Sequence, residues 1–113
     1  MTPPEVANDL ALRHQHLGSL YGEVGDLDRA LPHHNEAIRY FEAAENPYDA
    51  AQTRVNVAYA FARTGRFDDA LLFAQAALRG FTELQAEEDI QRTKRLIAQI
   101  ERYIQKAKGG SIP

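Results

Sequence analysis

Leu17-Gly18-Ser19-Leu20-Tyr21, followed closely by Gly25-Asp26-Leu27-Asp28-Arg29-Ala30, decides how this chain is read. A helical run closes at a glycine turn and a second run opens. Forty residues on, the pattern returns as Val57-Ala58-Tyr59-Ala60-Phe61 and Gly65-Arg66-Phe67-Asp68-Asp69-Ala70. Leu17 matches Val57, Gly18 matches Ala58, Tyr21 matches Phe61, and Ala30, Ala37 and Phe41 match Ala70, Ala77 and Phe81. Small residues recur where two helices must approach and apolar ones where a core must form. A repeat of this kind predicts a stack of helical hairpins that works by presenting a surface.

Working outward, the pattern predicts five helices and no strand. The first spans about 5–24, with Thr2 as its cap and Val6, Leu10, Leu17, Leu20 and Val24 as its apolar side. Gly25 closes it in a left-handed conformation and Asp26 caps the next. That second helix carries Leu27, Ala30, Leu31, Ile38 and Phe41, tolerates Pro32 near its start, and ends before Asn46-Pro47. The third starts near Tyr48 or Asp49 and stops at Thr64-Gly65. The fourth runs from Phe67 to about residue 84. Glu87-Glu88-Asp89 open the fifth with negative charge at the favourable end, and Lys106 and Lys108 close it.

A further step of forty places Ile97-Ala98 on Val57-Ala58, but Glu101 stands where the aromatic belongs and no second helix follows. The last helix is therefore expected to cap the stack. The resulting division is a single domain over 1–108. Repeat one covers about 5–44, repeat two about 48–84 and the capping helix about 87–107, with 109–113 as a flexible tail.

The motif resembles the tetratricopeptide repeat family, through Leu17-Gly18-x-x-Tyr21, Gly25, Ala30 and Ala37 and again through Val57-Ala58-x-x-Phe61, Gly65, Ala70 and Ala77. The resemblance covers roughly residues 10–107 and implies an all-α, right-handed superhelical stack of two hairpins plus the capping helix. The period exceeds the family's usual 34 and looks like that of bacterial multidomain regulators. The extra residues are expected in the helices and in the joining segment near 42–50. His14 stands where the family often has a large aromatic.

The resemblance further implies that the first helix of each repeat lines a concave groove. Repeat one then offers Leu12, Gln15, His16, Ser19 and Glu23. Repeat two offers Gln52, Val55, Asn56, Tyr59 and Arg63, and the last helix Arg92, Arg95, Gln99, Arg102 and Tyr103. Mixed donors, cations and an aromatic suit an extended peptide, with the Asn56 amide on its backbone and Arg92 and Arg95 facing a carboxylate. Asn56 and Arg92 partly match the family's carboxylate-binding pattern, whereas Gln15 and Ser19 do not supply its first lysine and asparagine. The function expected is a non-catalytic protein–protein interaction module within a larger signalling or transcriptional regulator. The alternative is homodimerisation through the capping helix or the open stack end. Ile97 and Ile104 lie seven apart on the last helix with Tyr103 beside them, so they can pack on repeat two or on another chain.

Composition removes competing classes. The chain of 113 residues has no cysteine, so it forms no disulfide and no thiolate metal site, which fits a reducing, cytoplasmic setting. Of the four histidines, His14 and His16 share a helix face poorly and His33 and His34 diverge, while His14 and His34 are expected to face one another across the hairpin. Two imidazoles do not complete a zinc site, so no metal or cofactor is expected. Ser19 and Ser111 sit in no nucleophile motif, and no strand precedes a phosphate-binding glycine loop. No catalysis and no small-molecule substrate is expected. The net charge of −3 and the mixed signs of the last helix argue against direct nucleic-acid binding. No apolar run is long enough for a membrane span.

Overall fold

A computed structural model describes residues 2–109. The helices are α1 (Pro4–Glu23), α2 (Leu27–Ala43), α3 (Pro47–Arg63), α4 (Phe67–Glu83) and α5 (Glu87–Gly109), with no strand among the described residues. Each packs on its sequence neighbour, and the stack measures 58 × 33 × 18 Å. Gly109, expected in the tail, closes α5; positions 110–113 lie outside the described residues.

Four connectors of three residues each, 24–26, 44–46, 64–66 and 84–86, join the helices with one repeated geometry. Their middle residues are all left-handed: Gly25 (φ 79°), Glu45 (56°), Gly65 (81°) and Gln85 (55°). The following N–H groups, of Asp26, Asn46, Arg66 and Ala86, donate to the carbonyls of Tyr21, Phe41, Phe61 and Phe81 at 2.8–3.0 Å. These are the six-to-one bonds that satisfy helix-end carbonyls. The backbone thus repeats every twenty residues, half the period visible in the side chains. The joining segment near 42–50 is no longer than the other connectors, so the extra length over the usual repeat lies in the helices. Asn46 ends that segment by capping α3, its side chain accepting from the Asp49 N–H at 3.2 Å. Asp26 caps α2 through the Arg29 N–H, as expected. Thr2 caps nothing: Pro3 holds the cap position of α1 and supplies no side-chain bond.

The core gathers on α3. Val57, Ala58, Ala60 and Phe61 are buried among Leu27 of α2, Ala70 and Ala74 of α4, and Leu96 and Ile100 of α5. Phe41 and Phe81, forty apart, are the largest fully buried side chains, each contributing about 2–3 kcal/mol by transfer from water. Two direct polar bonds tie α1 to α3 and its cap: Asn46 Nδ2 to Asn8 Oδ1 at 3.1 Å and Gln15 Nε2 to Thr53 Oγ1 at 3.3 Å.

The expectation for α1 is corrected. Its buried residues are Ala7, Ala11 and Gly18, whereas Val6, Leu17, Leu20 and Val24 are exposed and Leu10 is half-buried. At these three positions α1 turns nothing larger than a methyl group toward the interior. Gly18 is the extreme case: a Cβ there would stand 2.8 Å from the His34 ring. The large side chains of α1 occupy the face on which a further helix would lie.

Candidate functional site

The histidines sort differently from the expected pairing. His14 meets His33, not His34, with Nδ1 atoms 3.1 Å apart, so at least one ring keeps its lone pair to accept. Tyr21 stacks on His33 and Tyr40 on His14, giving a ladder of four rings with centroids 5.3–5.8 Å apart. His34 turns the other way. It is 3% exposed, lies over Gly18, and its Nδ1 has no hydrogen-bond partner among the described residues. Burial, reinforced by the adjacent His33, lowers its affinity for a proton, so the ring is neutral at neutral pH. Among the described residues no group of three or more His, Cys, Asp or Glu side chains is placed to hold a metal ion.

His34 forms one wall of a cleft of about 340 Å³. Ser19, Gly22 and Glu23 of α1 line one side, and Asn56, Tyr59, Ala60 and Arg63 of α3 line the other. Five groove candidates from the sequence converge here: Ser19, Glu23, Asn56, Tyr59 and Arg63. Gly22 leaves the opening clear, since a Cβ there meets nothing within 4 Å. Donors (Ser19, Asn56, Tyr59, Arg63) and an acceptor (Glu23) face one space over the buried His34 ring, the mixture that a peptide unit satisfies with its own N–H and C=O.

Tyr59 is also the border of a smaller cleft of about 130 Å³, shared with Gln52 and Val55 of α3, Phe81 of α4, and Asp89, Arg92, Thr93 and Leu96 of α5. Gln52 Nε2 donates to Asn56 Oδ1 at 3.3 Å and so fixes the amide between the two clefts. Asp89 is held from both sides, by the Tyr48 hydroxyl at 3.0 Å and by Arg92 at 3.3 Å. The bond to Asp89 raises the Tyr48 hydroxyl above the usual tyrosine range. Arg92 therefore enters the cleft with its charge already balanced.

The remaining candidates separate from this centre. Gln15 is half-buried in its bond to Thr53. His16 and Leu12 lie with Arg13 and Leu17 in an apolar hollow toward the outer side of α1. Arg95 is exposed and lines neither cleft, and Gln99, Arg102 and Tyr103 border a separate hollow with Lys106. Ile97 and Ile104 are half-buried against the core around α3, and Tyr103 stacks on Phe67 at 5.3 Å. Sequence reasoning missed His34 as a groove residue. The available signal was Gly18, whose missing side chain had to be answered by a large one on α2.

The tetratricopeptide repeat profile matches residues 9–83, which hold α2, α3, α4 and most of α1. No curated protein and no solved structure matches the chain.

Proposed function

The chain belongs to the tetratricopeptide repeat family, and from that premise we propose that it binds an extended protein segment across α1, α3 and α5, with Tyr59 at the centre of the contact. Repeats of this family generally serve as protein–protein interaction modules and are typically non-catalytic. The observation that carries the finer reading is the convergence of Ser19, Glu23, Asn56, Tyr59 and Arg63 on the buried, unpartnered His34. A segment lying there places one peptide unit against the Asn56 amide and a side chain in each cleft. Tyr59, half in solvent and flanked by both clefts, is the aromatic anchor. The long period supports placing the module in a cytoplasmic bacterial regulator, where the segment is a neighbouring domain's or another protein's. No helix among the described residues is long and apolar enough to cross a membrane.

The test is selection of peptides from a random library on the folded chain, followed by calorimetric titration of the winners. Tyr59→Ala and Asn56→Ala are expected to weaken binding tenfold or more, about 1.4 kcal/mol. Leu72→Ser, on the exposed side of α4, is expected to leave it unchanged. Selected peptides indifferent to Tyr59 and Asn56 would overturn the reading.

A further inference from the structure

One row of α1 is repeated twice in the chain with a different fate. Val6, Leu10, Arg13, Leu17, Leu20 and Val24 step by four and three along the helix. A forty-residue shift carries its four middle positions onto Ala50, Thr53, Val57 and Ala60 of α3, all buried, and the two outer ones onto Asn46 and Thr64 in the connectors. A second shift carries the middle four onto Ile90, Thr93, Ile97 and Ile100 of α5 and Val24 onto Ile104, buried but for the half-buried Ile97 and Ile104. There the row docks on the helix before it: Ala50 packs with Ile38 and Phe41 of α2, and Ile90 with Ala77 and Phe81 of α4. On α1 the row carries larger side chains than on α3, yet no described helix covers it. Val6 is 47% exposed, Leu17 40%, Leu20 46% and Val24 78%.

We infer that this row is a self-docking surface on which α1 of a second copy lies antiparallel, forming a closed two-fold dimer. The residue order identifies the occupant. Read about position 15, the row is nearly its own mirror image: Val6 meets Val24 of the second copy, Leu10 meets Leu20, and only Arg13 against Leu17 breaks the match. A two-fold axis requires this self-complementarity, because each residue i that meets j must also be met by it. The four–three spacing is that of a helix-pair seam. Arg13 lays its aliphatic stem on Leu17 of the second copy and keeps its charge at the rim. Head-to-tail stacking is disfavoured, since the side of α5 opposite its buried row is polar and charged, with Gln91, Lys94, Arg95, Glu101 and Arg102 all exposed to any incoming α1. One helix pair about 30 Å long lies at the small end of specific interfaces, so micromolar association is expected. The surface is distinct from the clefts around Tyr59, and its test does not depend on peptide binding.

Sedimentation velocity on the 113-residue chain, from about 1 μM to about 1 mM, reads the outcome. A monomer–dimer equilibrium is expected. Leu20→Glu should weaken it at least tenfold with unchanged circular dichroism, and Arg13→Leu, which completes the mirror pattern, should tighten it roughly tenfold. The absence of native cysteine allows a second readout that does not depend on the charged variant folding. Mixed under mild oxidation, Arg13→Cys and Leu17→Cys chains should give the mixed disulfide in excess over both homodimers. A chain monomeric throughout, a dimer indifferent to Leu20→Glu, homodisulfides in excess, or assemblies that grow without limit would each overturn the inference.

Discussion

The two hairpins share a backbone and disagree about what fills it. At one matched crossing repeat one places Gly18 against His34, where repeat two places Ala58 and Ala74, both fully buried. At another, Tyr21 on His33 in repeat one corresponds to Phe61 on Phe73 in repeat two, and the centroid distance is 5.7 Å in both. The second pair shows that the ring spacing survives a change from polar to apolar rings while the tilt does not, the planes lying 7° apart in repeat one and 39° apart in repeat two. The first shows that the distance between helices is kept by trading volume across the interface, and that the trade leaves a polar ring in the groove of repeat one only. Chemistry thus accumulates on the side of the stack where the packing is asymmetric.

The largest break in this comparison is expected from Gly18→Ala. The added carbon collides with the His34 ring and should cost about 1–3 kcal/mol in urea denaturation, against a gain of up to about 1 kcal/mol in helix propensity. Gly18→Ala with His34→Ala copies the pair of repeat two and should recover most of the loss; additive losses would mean that the two positions are not coupled. His34 also gives the native chain a pH signature. Its folded proton affinity is lowered, so the unfolded chain binds the proton more readily. Stability is then complete above the unfolded histidine value of about 6.5 and declines as pH falls below it, through the folded value. Glu23, Tyr59 and Arg63 share its cleft and His33 adjoins it, so the decline should be read as the difference between the native chain and His34→Ala.

A smaller effect is expected at the hairpin turns. Asp26 caps α2, whereas Arg66 at the matching position of α4 offers no cap bond and instead pairs with Asp69 and lies over Phe61 at 4.6 Å. Asp26→Ala should lower stability by about 1 kcal/mol. Arg66→Asp should return less than that, because it gives up both contacts; a full gain would show that they contribute nothing. The smallest change is expected at the connectors between hairpins. Glu45→Gly and Gln85→Gly relieve a left-handed side chain and should raise the thermal midpoint, with a net gain near 0.5 kcal/mol after the entropy of glycine is subtracted.

Gly25 and Gly65 announced their turns because glycine is the residue that left-handed backbone favours, and the forty-residue echo followed from them. Glu45 and Gln85 adopt the same conformation without that mark, so the twenty-residue rhythm was hidden and the segment near 42–50 read as longer than it is. The heavy residues of α1 read as core because an apolar row normally marks the buried side. In a stack the buried side depends on which neighbours exist, a property of the assembly and not of the helix. Five of the cleft residues were legible because the first helix of each repeat faces the groove. His34 was not, since adjacent residues on a helix point about 100° apart and the spacing alone does not fix which of His33 and His34 meets His14.

The uniform connectors carry one more consequence. The chain leaves position 26 and position 66 in the same left-handed turn, closed by the same carbonyl bond. Residues 27–66 are therefore a cassette with matching ends. A duplicate spliced in after Arg66 would meet native geometry at both joints and lengthen the molecule by one hairpin-sized increment. Growth by copying in this register needs no new turn to be invented, only a groove worth extending.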